Sequence, residues 1–490
     1  MRAAYDAATI RAAEEPLLAS LPDGTLMQRA ATALTRRCAA MLGQVYGARV
    51  VVLAGSGNNG GDGLYAGARL AGRGARVDAI LTGADAHPAG LHALHAAGGR
   101  SAAAGTDDDT RLLGAADLVI DAMVGIGGHG GLREPQARLA GLLALNTAVV
   151  VAVDVPSGVD ASTGVVDGCA VRADVTVTFG ALKTGLVVAP GAEHAGAIDV
   201  VDIGLSLPRP TTTLLDAADV ATMVPEPTGE TDKYRRGVVG VVAGSDVYTG
   251  AAVLAVGGAL AAGAGMVRFA GVTPAADVVR ARWPEAVVTA VDPGDGAAVI
   301  GAGRVQAWVV GSGLGTGADA AAVVRAVLGT DMPVLVDADA ITVVAEHPGW
   351  VRDRAAPTVL TPHAGEFARL AGVDRAGVEA RRLDHVCRLA ADLQATIALK
   401  GSTTVIADGS GEVRVNTADT PYLATAGSGD VLSGIAGALL AGGLSALDAA
   451  SAGAFLHGMA GLVAIGAPAA PITAMDLVAH LPAAIRAVRG

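Results

Sequence analysis

Short aliphatic runs, each followed by an Ala- and Leu-rich stretch, recur along most of this 490-residue chain, at residues 50–54, 76–81, 118–120, 149–153 and 175–177. Runs without an apolar/polar alternation fit strands covered on both faces, and alternation with helices is the pattern of a parallel sheet. The pattern breaks across residues 205–234, where four prolines, a threonine run and several acids cluster, and it resumes at 238–243, 307–310, 334–336, 358–360, 396–399 and 404–406. The sequence therefore predicts an α/β protein of two three-layer αβα domains, residues 1–212 and 213–490, which suits a prior of about 100 to 200 residues per domain.

Composition narrows the functional classes. A formal net charge of -12, with no basic run longer than Arg36-Arg37, Arg235-Arg236 or Arg381-Arg382, argues against a nucleic-acid partner. Cys38, Cys169 and Cys387 are too few and scattered for a disulfide framework or a zinc site. Asp6, Glu14 and Glu15 stand where an export signal would carry its apolar segment, so a cytoplasmic location is expected. Residues 247–267 and 449–475 lack charge, but their Gly, Ala and Ser content predicts buried helices and no membrane partner. Of 35 basic residues only Lys183, Lys233 and Lys400 are lysines, which marks them as places where a compact ammonium is wanted.

In an open α/β sheet ligands sit beyond the carboxyl ends of the strands. After the first run comes GSGNNGGDG, whose opening fits G-x-G-x-x-G, and Asp78 follows where a dinucleotide fold would place a ribose-binding acid. That much suggests an NAD-dependent dehydrogenase, yet Asn58, Asn59, Gly60, Gly61 and Asp62 supply amides and a carboxylate that a backbone phosphate turn does not need. Later strand ends carry Asp121, the loop Gly125, Ile126, Gly127, Gly128, His129, Gly130 and Gly131, then Asp154 and Ser157, and finally Lys183. Asn59, Asp121 and Ser157 form an all-oxygen set with one full charge, which suits potassium better than magnesium. The alternative is that Asp121 and Asp154 cap following helices.

In the second half, Thr425 to Gly429 can form an anion-holding turn at a helix start, with Asp430 in the first helical turn placed to take a proton from a substrate hydroxyl. Lys400, Gly401, Ser402, Thr403 and Thr404 offer an ammonium, amides and hydroxyls to nucleotide phosphates, while His363 and Glu366 follow another strand, Glu366 suiting a hydrated magnesium. Gly311 to Gly315 and Asp337 to Asp339 are further strand-end loops on the same rim.

Together, GSGNNGGDG, DAMVGIG leading to LREP, DVPSGVDASTG, FGALKTG and Leu26-Met-Gln-Arg-Ala30 resemble the NAD(P)H-hydrate epimerase family over about residues 1 to 210. Residues 228 onward, with Lys233, Arg236, the Gly244–Gly250 loop and the Asp430 segment, resemble the ADP/ATP-dependent NAD(P)H-hydrate dehydratase, a relative of ribokinase-like kinases. The resemblance implies a Rossmann-like domain that interconverts R- and S-hydrates of NADH and NADPH, and a ribokinase-like domain that dehydrates the S form with ADP or ATP and Mg2+. It implies that Asn58 to Asp62, Gly125 to Gly131 and Asp154 hold the hydrate and that Asn59, Asp121 and Ser157 bind K+. Asp121 and Lys183 are candidates for the epimerising proton transfer. In the dehydratase, Ala251, Gly313, His363 and Asp430 face the hydrate, Lys400 to Thr404 and Gly429 hold the nucleotide, and Asp430 is catalytic. A homo-oligomer acting on the small molecules NADHX and NADPHX is expected. The competing reading is a ribokinase-like small-molecule kinase carrying a nucleotide-binding module.

Overall fold

Val50, Val52 and Ala54 pack into one core while Val51 and Leu53, one residue out of step, pack into another. Neighbouring side chains of a strand point to opposite faces, so this split shows a sheet covered on both sides. The computed structural model describes residues 1–490 except Ala84, Pro227, Thr228, Glu230 and Thr231, so part of the proline-rich stretch read as the domain junction lies outside the described residues. The chain divides into two compact units, Ala3–Thr211 and Thr212–Gly490, the latter grouping with Met1–Arg2.

In the first unit the sheet runs, in spatial order, Arg100–Ala103, Arg76–Leu81, Arg49–Ala54, Leu118–Ala122, Val149–Val153, Val175–Phe179 and Ala197–Val201, every pairing parallel. Helices Thr25–Leu42, Asn58–Ala71 and Pro88–Ala96 supply Leu34, Leu64, Leu70 and Leu94 to one face. Asp107–Gly114 and Gln136–Leu143 supply Leu113, Leu139 and Leu143 to the other.

Asp78 corrects one expectation. It lies inside the strand Arg76–Leu81 rather than at its end, and its carboxylate takes two hydrogen bonds from Arg100 on the adjacent strand (2.9 and 3.2 Å). A residue so placed serves strand pairing, and the dehydrogenase reading loses its ribose acid.

The second unit's strands lie in the order Val287–Ala290, Met266–Gly271, Val238–Val242, Ala307–Val310, Val334–Val336, Thr358–Leu360, Thr396–Leu399, Thr404–Ala407, Val413–Asn416 and Thr212–Leu214. Pairing is parallel except on both sides of Thr404–Ala407. The chargeless residues 247–267 form the helix Thr249–Ala261 and begin the strand Met266–Gly271. Among the described residues, the helix Ala446–Ile465 is long and apolar enough to cross a membrane, but Leu447 and most residues from Ala449 to Gly461 are buried within the unit.

Thr249–Ala261 packs on Ser428–Ala441 backbone to backbone. A Cβ on Gly434 would collide with the Ala255 carbonyl, and one on Gly258 with the Val431 carbonyl, so glycine is required at both. Gly434→Val is expected to destabilise this unit by at least about 2 kcal/mol, whereas Gly250→Ala, on an open helix face, is expected to be neutral or stabilising by up to about 1 kcal/mol. Denaturant unfolding followed by tryptophan fluorescence checks both, because Trp283, Trp308 and Trp350 all lie in this unit.

Candidate active sites

The strand Arg49–Ala54 turns at Gly55 directly against the Met123 carbonyl, an approach that a Cβ would forbid. The chain then enters the helix Asn58–Ala71, whose N-cap Gly57 contributes no side-chain cap. Its first amides therefore remain available, a ready anion-holding end. They open on a cavity of about 1080 Å³.

Asn58, Asn59, Asp62, Asp154 and the loop Gly125, Ile126, Gly127 and Gly128 line that cavity. Asn59 Nδ2 and Asp62 Oδ1 are buried with no hydrogen-bond partner, so two polar atoms in this wall await a ligand. Burial raises the Asp62 pKa well above the carboxylate range, and the charges of Asp154 and Glu14 push the same way. Gly60 and Gly61 are buried beneath the helix start rather than facing the cavity. His129, Gly130 and Gly131 line a smaller recess of about 170 Å³ that shares Val124, Gly128 and Gln136 with the large one. His129 itself is exposed and lies 3.2 Å from Asp160.

Neither Asp121 nor Asp154 caps a helix. Asp121 is the penultimate residue of the strand Leu118–Ala122 and is fully buried, accepting from Ser157 N (2.8 Å), Ser157 Oγ (2.6 Å) and Met123 N (3.4 Å). Burial pushes its pKa up to about 6 despite those donors. Ser157 Oγ in turn accepts from Val124 N (2.9 Å), and Asn59 packs on the next residue, where a Cβ on Gly125 would stand 2.9 Å from its Oδ1.

Asp154 occupies the left-handed region (φ +67°). Its Oδ1 accepts from Lys183 Nζ (2.5 Å), Phe179 N (3.1 Å) and Thr178 Oγ1 (3.2 Å), and Lys183 also donates to the Phe179 carbonyl (2.6 Å). The Lys183 side chain is 1% exposed and does not face the cavity.

In the second unit a cavity of about 840 Å³ is lined by His363, Lys400, Gly401, Ser402, Thr404, Gly429 and Asp430. Thr403 is buried beside it. Gly427 (φ +85°) turns the chain into the helix Ser428–Ala441 without a side-chain cap, and a Cβ on Gly429 would be 3.2 Å from Lys400 Nζ. Asp430 lies in the first turn as expected, its pKa pushed up to about 6 by burial and then by the charge of Asp337. Burial opposes the Lys400 charge, but Asp337 and Glu366 outweigh it and raise the pKa.

His363 is a half-exposed helix cap: its Nδ1 accepts from Gly365 N (3.0 Å) and Glu366 N (3.3 Å), while Glu366 Oε2 accepts from His363 N (2.8 Å). Ala251 and Gly313 meet each other but lie outside the cavity lining.

Over its whole length the chain is 48% identical to the bifunctional NAD(P)H-hydrate repair enzyme of Mycobacterium leprae, and covers all of that protein. The chain belongs to the bifunctional NAD(P)H-hydrate repair enzyme family. The Mycobacterium tuberculosis member is 50% identical over 461 residues, 92% of each chain. The family models agree: one described as YjeF-related protein N-terminus matches residues 23–185, and one described as NAD(P)H-hydrate dehydratase matches residues 239–483. Among solved structures, the Bacillus subtilis ADP/ATP-dependent NAD(P)H-hydrate dehydratase co-crystallised with ATP/Mg2+ is 28% identical with a TM-score of 0.51, covering 56% of this chain and 97% of that one.

Within this repair-enzyme framework, sequence reasoning missed Arg11 and Glu14. Both come from the helix Ala7–Ser20 and line the first cavity, and Arg11 Nη2 donates to the Ile126 carbonyl (3.0 Å). Glu14 is raised in pKa, first by burial and then by Asp154. Their i,i+3 spacing, which puts both on one helix face, was the available signal. Also missed were Asp419, pushed up to about 6 by burial, and His457, pushed down to about 4 by burial, both lining the second cavity.

Removing the ammonium of the buried Lys183–Asp154 pair strands a buried carboxylate. Lys183→Met is expected to destabilise the first unit by roughly 3–5 kcal/mol, read as an earlier loss of amide hydrogen-exchange protection in strands Val149–Val153 and Val175–Phe179, with protection in the second unit unchanged.

Proposed function

We propose that residues 3–211 epimerise R- and S-NAD(P)H-hydrate and that residues 212–490 dehydrate the S-hydrate to NAD(P)H with ADP or ATP. Full-length identity near one half to a repair enzyme, with a polar cavity at the strand ends of each unit, carries this reading. A lone kinase would leave the first cavity and its unpartnered Asn59 and Asp62 atoms without a purpose.

In the epimerase, Asn58, Asn59, Asp62 and the Gly125–Gly128 loop hold the hydrate, with His129, Gly130 and Gly131 at the adjoining recess. Asp154 faces the substrate, its carboxylate held in place by the hydrogen bond from Lys183. Asn59, Asp121 and Ser157 would hold K+, since an amide oxygen, a hydroxyl and a single carboxylate suit a monovalent hard cation. When bound, potassium would order these oxygens and present positive charge to the hydrate's polar groups.

In the dehydratase, Lys400, Gly401, Ser402, Thr404 and the amide of Gly429 cradle the nucleotide phosphates, as free helix-start amides and an ammonium do. Asp430 takes the hydrate's hydroxyl proton as that oxygen attacks the terminal phosphoryl group, whose P–O bond to the rest of the nucleotide breaks so that ADP leaves from ATP, or AMP from ADP. Phosphate then leaves with the C–O bond electrons, and loss of a ring proton restores the dihydronicotinamide. His363 flanks the substrate, and Glu366 would meet Mg2+ through water, the usual mode for this ion beside phosphates. A cytoplasmic setting, where NAD(P)H is used, fits these substrates.

Mixed hydrates incubated with ADP or ATP and magnesium should return all their reduced-nicotinamide absorbance; recovery of the S fraction alone would remove the epimerase. Asp430→Asn should abolish dehydration and leave epimerisation intact. A base must be ionised to act, so dehydration should fall as pH drops through about 6, the raised pKa of Asp430. Replacing K+ by tetramethylammonium should slow epimerisation while dehydration persists.

A further inference from the structure

Three elements of the second unit converge on one carboxylate to which the proposed chemistry gives no role. Asp337, 1% exposed, follows the strand Val334–Val336. Its Oδ1 accepts from Lys400 Nζ (2.8 Å) and from Thr361 Oγ1 (2.8 Å), and its Oδ2 accepts from Ser433 Oγ (2.5 Å). Lys400 and Thr361 stand at the ends of two other strands, Thr396–Leu399 and Thr358–Leu360, and Ser433 lies on the helix whose first turn holds Gly429 and Asp430. The same Ser433 Oγ is 2.9 Å from the Gly429 carbonyl.

The backbone around Asp337 is fixed as firmly as its side chain. Ala338 takes φ +51°, and Gly311 passes so close to the Asp337 carbonyl that a Cβ there would collide with it. Asp339, two residues on, receives Gly315 N (2.9 Å) and ties down the neighbouring strand-end loop. A buried carboxylate with every partner a donor is held in a single orientation.

We propose that Asp337 is the positioning residue of the nucleotide site, holding the Lys400 ammonium in register with the helix start that presents Gly429 and Asp430. Asp337 stands in the wall of the second unit's cavity, but its carboxylate oxygens are taken up by Lys400, Thr361 and Ser433, so it acts on the nucleotide through Lys400. It fixes the distance between the two groups that must grip and activate one phosphoryl group, and a misplacement of about 1 Å between such groups can cost about a hundredfold in rate. The inference rests on the dehydratase reading but is tested on nucleotide binding as well as on turnover.

The test compares the unaltered full-length chain with Asp337→Asn, Lys400→Met and the double variant, measuring ATP–Mg2+ binding by calorimetry and the nucleotide KM and kcat of S-hydrate dehydration. Asp337→Asn should weaken ATP binding and raise the nucleotide KM by about tenfold or more, as loss of a charged hydrogen bond does, with the hydrate KM within about twofold of the unaltered chain. Adding Asp337→Asn to Lys400→Met should change ATP affinity by less than about threefold, because residues acting through one another are not additive. Unchanged ATP affinity in Asp337→Asn, or full additivity in the double variant, overturns the proposal. Should Asp337→Asn not fold, Thr361→Val and Ser433→Ala each remove one arm and keep the carboxylate; an unchanged nucleotide KM in both overturns it equally. Failure of the unaltered chain to regenerate NAD(P)H would instead sink the functional reading, and the ATP-binding comparison would still decide the role of Asp337.

Discussion

Parallel strands buried on both faces leave little room for charge along their length, so charge gathers where they end. Each unit meets this constraint in the same way, with one lysine on one buried strand-end aspartate: the buried Lys183 on Asp154 and the partly buried Lys400 on Asp337. An unpaired buried ion would be prohibitive, whereas an ammonium and carboxylate with further donors around them are tolerable. The rest of each cavity is arranged about such a pair. Asp154 turns its Lys183-bound carboxylate to the first cavity, and Lys400 stands beside the helix start in the second.

The pairs also divide the remaining carboxylates into two kinds. Asp154 and Asp337 have counter-ions. Asp62, Glu14, Asp121 and Asp430 have none of comparable quality, and burial raises all four. Carboxyl groups raised by burial in this way exchange protons more readily under cellular conditions than ordinary surface carboxylates do. That suits a hydrate whose repair requires protons to move while the nicotinamide ring is preserved.

Much of the architecture was legible because strand periodicity and strand-end polarity are local properties. The runs at 76–81, 149–153, 307–310, 334–336, 358–360 and 396–399 coincide with observed strands, and Asn58, Asn59, Asp62, Gly125 to Gly128 and Asp154 line one cavity. The strands that escaped did so for physical reasons. Arg100–Ala103 and Ala197–Val201 have partly exposed faces and so lack a continuous apolar run, while Met266–Gly271 is interrupted by Arg268 and was hidden in a chargeless stretch. Arg11 and Glu14 escaped because a helix far away in sequence reaches the cavity only through tertiary packing. Asp337 sat in a visible strand-end loop, but its partners Thr361, Lys400 and Ser433 are 24 to 96 residues away, so no spacing could announce them. Asp78 shows the opposite error, a position in the sequence given a role that the register with Arg100 removes.

The glycines that let Thr249–Ala261 and Ser428–Ala441 touch through their backbones do more than fill a core. Backbone contact leaves no side-chain rotamers to adjust, so the helix bearing Gly429 and Asp430 behaves as a stiff beam clamped along its middle. Its free end cannot swing to meet a ligand. The ordering of the phosphate-facing turn is therefore settled when the unit folds, and the nucleotide binds a finished cradle rather than assembling one.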